Sequence, residues 1–294
     1  MADRLSALLQ RFELRSRLLH AGALRHELVV PPEAQAGQAG QAGHLHLLRQ
    51  GSVRLQGPQR HRRLVHGPAL LFVPRPLPHR LAPAGAAGAE LVSAAVHFGA
   101  GDENPLLASL PALLHVPMAQ LPGLEAAQQL LFAEALARRC GHAAVVDRLA
   151  EVLLIQLLRH ALATGLVDSG VMAGLADARL ARAISAMHAE PGRAWTLPAL
   201  AAEAGMSRAR FAAHFVQTVG VPPGDYLTGW RLGLARRLLR RGLPIKQVAA
   251  DVGYASAGAF GRVFVQRVGH TPREWQRAAA GRAEAASAAS RLSN

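Results

Sequence analysis

The sequence predicts an α+β, multidomain protein: a small antiparallel β-barrel followed by helices, then an all-α domain with two helix-turn-helix units. Three observations carry that prediction. Between His44 and Phe98, short apolar runs are broken by Gly and Pro clusters, the texture of strands and turns. After Asn104-Pro105 the apolar spacing becomes that of amphipathic helices. In the last third, one pattern of helix, glycine, serine and helix occurs twice. With 294 residues, 50% of them hydrophobic, the chain is long enough for each part to bury its own core.

Along the chain, the opening MADRLSALLQRFELRSRLL carries charges throughout and lacks the apolar core of a secretory signal. Glu33–Gly43 repeats Gln-Ala-Gly and reads as a flexible surface loop. The runs HLHLL, SVRL, ALLFV and LVSAAVHF follow as strands of a barrel or sandwich. Leu124–Arg139 and Ala143–Leu162 read as two long helices separated by Gly141. In the second, Val145, Leu149, Val152, Leu153 and Leu157 make an apolar surface wider than one stripe, which suits either the domain core or a homodimer interface. Its most apolar run, Val152 to Leu158, is too short to span a bilayer, so no membrane is expected as a partner. Thr164–Gly174 holds three glycines and reads as a linker. The expected boundaries are a sensor domain with a helical segment over 1–163, a linker over 164–176, a DNA-binding domain over 177–278 and a disordered tail over 279–294.

Charge is distributed unevenly. Residues 175–294 hold 16 Arg and one Lys against seven Asp or Glu, a net of +10, whereas residues 1–174 hold 16 Arg against 12 acidic residues, a net of +4. Codon bias accounts for Arg over Lys but not for this asymmetry, which fits a C-terminal surface that binds a polyanion. The single cysteine, Cys140, excludes an intrachain disulfide and fits a reducing, cytoplasmic compartment. Arg138 and Arg139 beside it favour a thiolate, but no resolving cysteine exists in the chain, so Cys140 reads as a small buried hydrophobe. No glycine-rich phosphate loop, paired catalytic carboxylates or Ser-His-Asp arrangement stands out, and no enzyme activity or cofactor is expected.

The repeated pattern is LPALAAEAGMSRARFAAHFVQTVG (Leu197–Gly220) and LPIKQVAADVGYASAGAFGRVFVQRVG (Leu243–Gly269). Gly205 and Gly253 supply the positive φ that a tight turn between helices needs. Ser207 and Ser256 are placed to cap the helices that follow. Phe211 and Phe215, like Phe260 and Phe264, lie at i, i+4 and point into the core. The opposite face holds Ala209, Ala213, Val216 and Gln217 in the first copy, and Gly258, Arg262, Val265 and Gln266 in the second. In a helix-turn-helix that face enters the major groove.

On these motifs the last 100 residues or so resemble the AraC/XylS family of bacterial regulators: a leading helix (RLARAISAMHAEP), the first unit, a connecting helix (DYLTGWRLGLARRLLRRG) and a second unit closing with GHTPREWQR. The resemblance implies a sequence-specific transcription regulator that binds double-stranded promoter DNA as a homodimer, with RNA polymerase as a further partner if it activates. The connecting helix, Tyr226 to Arg241, would then separate the reading helices by about one turn of DNA, ~34 Å. Arg262 matches the base-contacting arginine of the second reader. The first reader presents Ala209, Ala212 and Ala213, which touch thymine methyls but make no bidentate hydrogen bond. Arg208, Arg210 and His214 flank that face and suit phosphate contact. Weak discrimination is expected from the first unit and more from the second. Gly258 and Gly261 lower the helix propensity of the second reader.

The segment HLHLLRQGSVRL with GPALLFVPRPLPH resembles the cupin-like sensor domain of many such regulators, continuing into NPLLASLPALLHVP and VVDRLAEVLLIQLLRH. The resemblance implies an unidentified small-molecule effector in the barrel, read by His46 and His79. Cupin enzymes hold a metal with two His on one strand, a Glu and a later His. His44 and His46 share one strand face and His79 takes the later place, but Gln50 stands where the Glu belongs and Pro76 replaces a glycine. His97, on a third strand, reads as structural. Two rivals remain: a metal-dependent cupin enzyme fused to a basic helical domain, and a non-specific architectural DNA-binding protein.

Overall fold

The structure, a computed structural model, describes residues 4–11, 14–30, 42–57, 62–86, 88–98, 104–279 and 281. Most of the Gln-Ala-Gly loop, 33–41, and nearly all of the expected tail, 280 and 282–294, lie outside the described residues. Two compact units divide the chain, one over Leu8–Ala176 and a second that takes the residues from Asp177 onward together with those up to Ala7.

The first unit is built on an eight-stranded antiparallel sheet: β1 (Arg15–Leu24), β2 (Leu28–Val30), β3 (Ala42–Gln56), β4 (Arg62–His66), β5 (Ala69–Val73), β6 (His79–Pro83), β7 (Ala89–His97) and β8 (Leu114–Pro117). One path runs β1-β7-β3-β5-β8, while β4 and β6 pair with the far half of β3, and β2 pairs with β6. HLHLL and SVRL are therefore not two strands but one bent one. Its first half lies between β7 and β5 and its second between β4 and β6. The bend falls at Gly51, whose φ is +83° and where a Cβ would stand 2.5 Å from the carbonyl oxygen of Gly88. Only glycine fits there. Leu48, Val53, Leu55, Val65, Leu71, Leu81 and Leu91 close the barrel core beneath.

The short α1 (Ser6–Arg11) precedes β1, α2 (Pro105–Ser109) lies between β7 and β8, and α3 (Glu125–Ala137) and α4 (His142–Thr164) follow the last strand. β1 is an edge strand, and α4 covers part of that edge. Asp147 Oδ1 accepts from the backbone N–H of Leu18 at 2.8 Å, and Glu151 Oε1 from that of Ser16 at 3.1 Å. Polar side chains thus satisfy backbone donors that an open edge would leave free. The wide apolar surface of α4 splits between two environments. Val146, Leu153, Leu154, Leu157 and Leu158 are buried, while Val145 and Val152 are exposed.

Two expectations need correction. The segment 164–176 is not an open linker: α5 (Gly170–Ala176) buries Val171, Met172 and Leu175 and packs on α2. Of its glycines, Gly165 ends α4 in the left-handed region at φ +67°, and Gly174 is buried inside α5. Cys140 is exposed rather than buried. It sits in the tight turn between α3 and α4, where Arg138 and Gly141 both take positive φ and the chain runs over the surface.

The second unit is all-α: α6 (Leu180–Ala189), α7 (Leu197–Ala204), α8 (Arg208–Val219), α9 (Pro223–Arg240), α10 (Ile245–Asp251) and α11 (Ala257–Val268), with a last helical stretch over 272–279. Each half has its own apolar centre. Phe211 and Phe215 anchor the first, and Phe260 and Phe264, with Val248, Val252, Leu232 and Leu239, the second. The connecting helix α9 is fastened to α6 by His188, whose ring stacks on Trp230 at 3.5 Å and shares a 2.6 Å hydrogen bond with the Tyr226 hydroxyl.

Candidate functional site

The helix-turn-helix geometry follows from a few local choices made twice. α7 ends at Gly205 with φ +62°, and the turn after α10 passes through Gly253 with φ +84°. The Oγ of Ser207 accepts from the Arg210 N–H at 3.4 Å, and that of Ser256 from the Ala259 N–H at 3.1 Å, so each serine caps its reading helix. The cap uses an oxygen lone pair and leaves the hydroxyl proton free to donate to a phosphate. With both Phe pairs fully buried, Ala209, Ala213, Val216 and Gln217 of α8 are exposed, as are Gly258, Arg262, Val265 and Gln266 of α11. Arg208 and Arg210 are exposed beside them, and Ala212 is half-buried rather than on the open face.

His214 has a different place from the one its spacing suggests. Its Nε2 lies 2.7 Å from Asp177 Oδ2; the carboxylate only accepts, so the ring donates. Asp177 Oδ1 also accepts from the N–H groups of Arg179 and Leu180, at 2.8 and 2.9 Å, and so holds the start of α6. Burial pushes the Asp177 carboxyl up, but the hydrogen bonds it accepts from Leu180, His214 and Arg179 outweigh this and hold it below 3.8. His214 therefore ties α8 to α6. Asp177, Arg179, Arg210, Ala213, His214 and Gln217 line one groove beside the reading face.

Two bracing arginines escaped the sequence reading. Arg182 of α6 donates from Nη2 to the carbonyl of Ala204 at 2.8 Å, beside Gly205. Arg231 of α9 donates to the carbonyls of Pro191 and Arg193, both at 2.7 Å, and its Nη2 lies 2.9 Å from where a Cβ on Gly253 would be. In both copies an arginine 22 or 23 residues before the turn glycine reaches that turn. That spacing was legible, but its meaning requires knowing which helix returns to the turn.

In the barrel, His44, His46 and His79 do converge. All three are buried, with ring centroids 5.0–6.3 Å apart. Burial, and next the charge of His79, lowers the pKa of His44 to about 3 and that of His46 well below 6.5. Burial also lowers His79, against the raising effect of its hydrogen bond to Leu77. The rings are therefore neutral, and their tautomers follow. The Leu77 carbonyl accepts from His79 Nδ1 at 2.8 Å, so His79 Nε2 carries the lone pair and accepts from His46 Nε2 at 2.8 Å. His46 Nδ1 is then an acceptor and takes the hydroxyl proton of Ser93 at 2.8 Å. Ser93, the register partner of His46 on β7, was not foreseen. Both ring nitrogens of His44 are buried without a hydrogen-bond partner among the described residues.

This arrangement does not fit a metal. The His46 and His79 nitrogens that face each other are joined by a proton, and among the described residues no carboxylate completes the set. Gln50 is exposed and donates to Glu90 at 3.0 Å, and Glu90 is also held by Arg49. Among the described residues, no group of three or more His, Cys, Asp or Glu is arranged to hold an ion. His97, at the end of β7, is half-buried.

Comparison with known proteins places both parts. Residues 3–163 match the family model described as Cupin, and residues 200–278 match the one described as Helix-turn-helix domain. An AraC-like transcription regulator from Streptomyces lividans is 36% identical over 192 residues, covering 64% of this chain and 63% of its own. An HTH-type transcriptional regulator of Haemophilus influenzae is 36% identical over 173 residues, 58% of each chain. This chain thus spans under two thirds of the length of these relatives. Among solved structures, a transcriptional regulator with an AraC-type DNA-binding domain from Chromobacterium violaceum aligns at 29% identity with a TM-score of 0.33, covering 35% of this chain and 92% of that one. Among the described residues, no helix is long and apolar enough to cross a membrane.

Proposed function

This chain belongs to the cupin family, with a helix-turn-helix domain of the AraC type behind its barrel, and from that premise we propose that it is a sequence-specific DNA-binding transcription regulator whose promoter binding responds to a small molecule at the barrel. The observation that carries the reading is the pair of capped, braced helices α8 and α11, each burying two phenylalanines and leaving its opposite face open. Arg262 is the base reader, suited to a bidentate contact with guanine. Gln217 and Gln266 are the amide readers on the two faces. Ser207, Ser256, Arg208 and Arg210 hold phosphates, while His214 acts by positioning α8.

The effector is read inside the barrel by His44, His46 and His79. Three neutral rings, one of them with two unsatisfied nitrogens, favour a ligand that carries hydrogen-bonding groups on an apolar body. No metal and no catalytic step are assigned. The exposed Val145 and Val152 of α4, one heptad apart, support a homodimer. The place of action is the cytoplasm, where promoter DNA and, for an activator, RNA polymerase are met.

Genome-wide occupancy followed by in vitro binding of the best site by wild type and Arg262→Ala tests this reading at two salt concentrations. A sharp motif, with the variant losing about 1–3 kcal/mol of selectivity at one base pair and retaining non-specific binding, is the expected result. Equal, salt-sensitive binding of both proteins to any duplex would favour an architectural protein.

A further inference from the structure

The arginines on β3, β4 and β6 fall into two groups. Arg49 and Arg80 are neutralised, their guanidinium nitrogens lying 2.6 Å from Glu90 and 3.1 Å from Glu27. Arg54 on β3 and Arg62 and Arg63 on β4 are exposed and have no carboxylate partner among the described residues. With His66, Ser52 and Leu64 they line one shallow depression with no acidic side chain among its described lining residues. The strand register explains most of the cluster: Ser52 pairs with His66, Arg54 with Leu64 and Gln56 with Arg62, which brings Ser52, His66, Arg54 and Arg62 to one face. Arg63, opposite the buried Leu55, starts from the alternate face and borders the depression. His66 is oriented by a 2.7 Å hydrogen bond between its Nδ1 and the Ser52 hydroxyl, which leaves Nε2 for a ligand.

We propose that this face is a second, sequence-independent DNA contact that takes phosphates outside the stretch read by α8 and α11. It rests on the DNA-binding reading above. The chemistry selects a polyanion, because arginine forks match phosphate oxygens in pairs. Arg54, which donates to the Pro83 carbonyl at 3.3 Å, and Arg62 stand on one face of adjacent strands with Arg63 at its border, none of them neutralised by a carboxylate among the described residues. It also selects nucleic acid over an acidic protein. A protein partner needs an apolar or aromatic centre, and Leu64, 52% exposed, is the single large apolar side chain among the described residues lining the depression, whereas DNA interfaces are polar and strongly positive.

The test compares the full chain with Arg54→Ala/Arg62→Ala/Arg63→Ala on two duplexes carrying the same operator. One is trimmed to the footprint of the two helix-turn-helix units, and the other is extended by two helical turns at each end. On the long duplex, the variant is expected to lose about 2–3 from the slope of log K against log salt, at ~0.9 per phosphate released, and roughly tenfold in affinity. On the short duplex it is expected to match wild type. Should the alanine protein not fold, the Gln versions of the three substitutions keep side-chain length and carry the same expectation. Equal slopes on the long duplex would overturn the proposal and leave these cations as guards of the β4 edge. Normal DNA binding with lost transcriptional activation would overturn it in favour of an acidic protein partner. Failure of wild type to prefer the operator on the short duplex would overturn the helix-turn-helix reading itself, and this contact with it.

Discussion

His214 Nε2 donates to Asp177 Oδ2 at 2.7 Å, and the same carboxylate caps the leading helix through the N–H groups of Arg179 and Leu180. One acidic group thereby fixes the angle between α6 and the first reading helix. Asp177→Ala is expected to destabilise the helical unit by about 1–2 kcal/mol, the cost of a lost cap and of a lost hydrogen bond. Because the folded-state pKa of Asp177 is lowered, its stabilisation is present above pH ~4 and is lost as pH falls below that. Urea unfolding between pH 7 and 3 checks this, and an acid limb equally steep in Asp177→Ala would refute it. His214→Ala should lower stability as well as DNA affinity, whereas a phosphate-only contact would lower affinity alone.

The two turn glycines are not equivalent. A Cβ on Gly253 would lie 2.6 Å from the backbone oxygen of Gly192, while on Gly205 the nearest atom is the movable Arg182 Nη2 at 2.8 Å. Gly253→Ala is therefore expected to cost more than about 2 kcal/mol, and Gly205→Ala about 1, the penalty of a positive φ alone. Thermal unfolding of the two variants measures the difference, and equal losses would contradict the close approach.

Gly258 and Gly261 sit in α11 with open space around them: a Cβ on Gly261 meets nothing within 4 Å, and on Gly258 only Ser256 Oγ at 3.9 Å. Alanine at either position should stabilise the helix by about 0.5–1 kcal/mol. If the second reader needs to adapt to its groove, the Gly261→Ala protein will melt higher and bind its operator less tightly. A higher Tm with unchanged affinity would show that the glycines are tolerated rather than used.

Substitutions of two neighbouring barrel histidines should act in opposite directions. His44 has both nitrogens buried without a partner among the described residues, so His44→Leu is expected to raise stability by about 1 kcal/mol. His46→Leu leaves Ser93 and His79 without their partner and should lower it by about 1–3 kcal/mol. The same histidines make the barrel acid-sensitive. Their folded pKa values are lowered, so stability is full above pH 6.5 and falls as pH drops below it, by about 1 kcal/mol each for His44 and His46 at pH 5.5. Unfolding curves at pH 7.5 and 5.5 check this. A His44→Leu protein as acid-sensitive as wild type would overturn the assignment for His44.

The linear sequence determined the elements whose chemistry is local. Gly205, Ser207 and the Phe211–Phe215 pair mark a turn, a cap and a buried face within a dozen residues, and the second copy repeats them. Exposure of Arg262 and Gln266 then follows from helical geometry alone. What only the tertiary structure decided depends on which distant segments meet. β1, β2, β6 and β8 are short, or carry charged and polar residues at alternate positions, and become strands by pairing with partners remote in the chain. The role of His214 depends on Asp177, 37 residues away, and the chain of hydrogen bonds through His46 on Ser93, 47 residues away. Helical periodicity fixes where a side chain points. A hydrogen-bond partner across the fold is fixed by closure of the chain, and that information is spread over every residue that brings the two segments together.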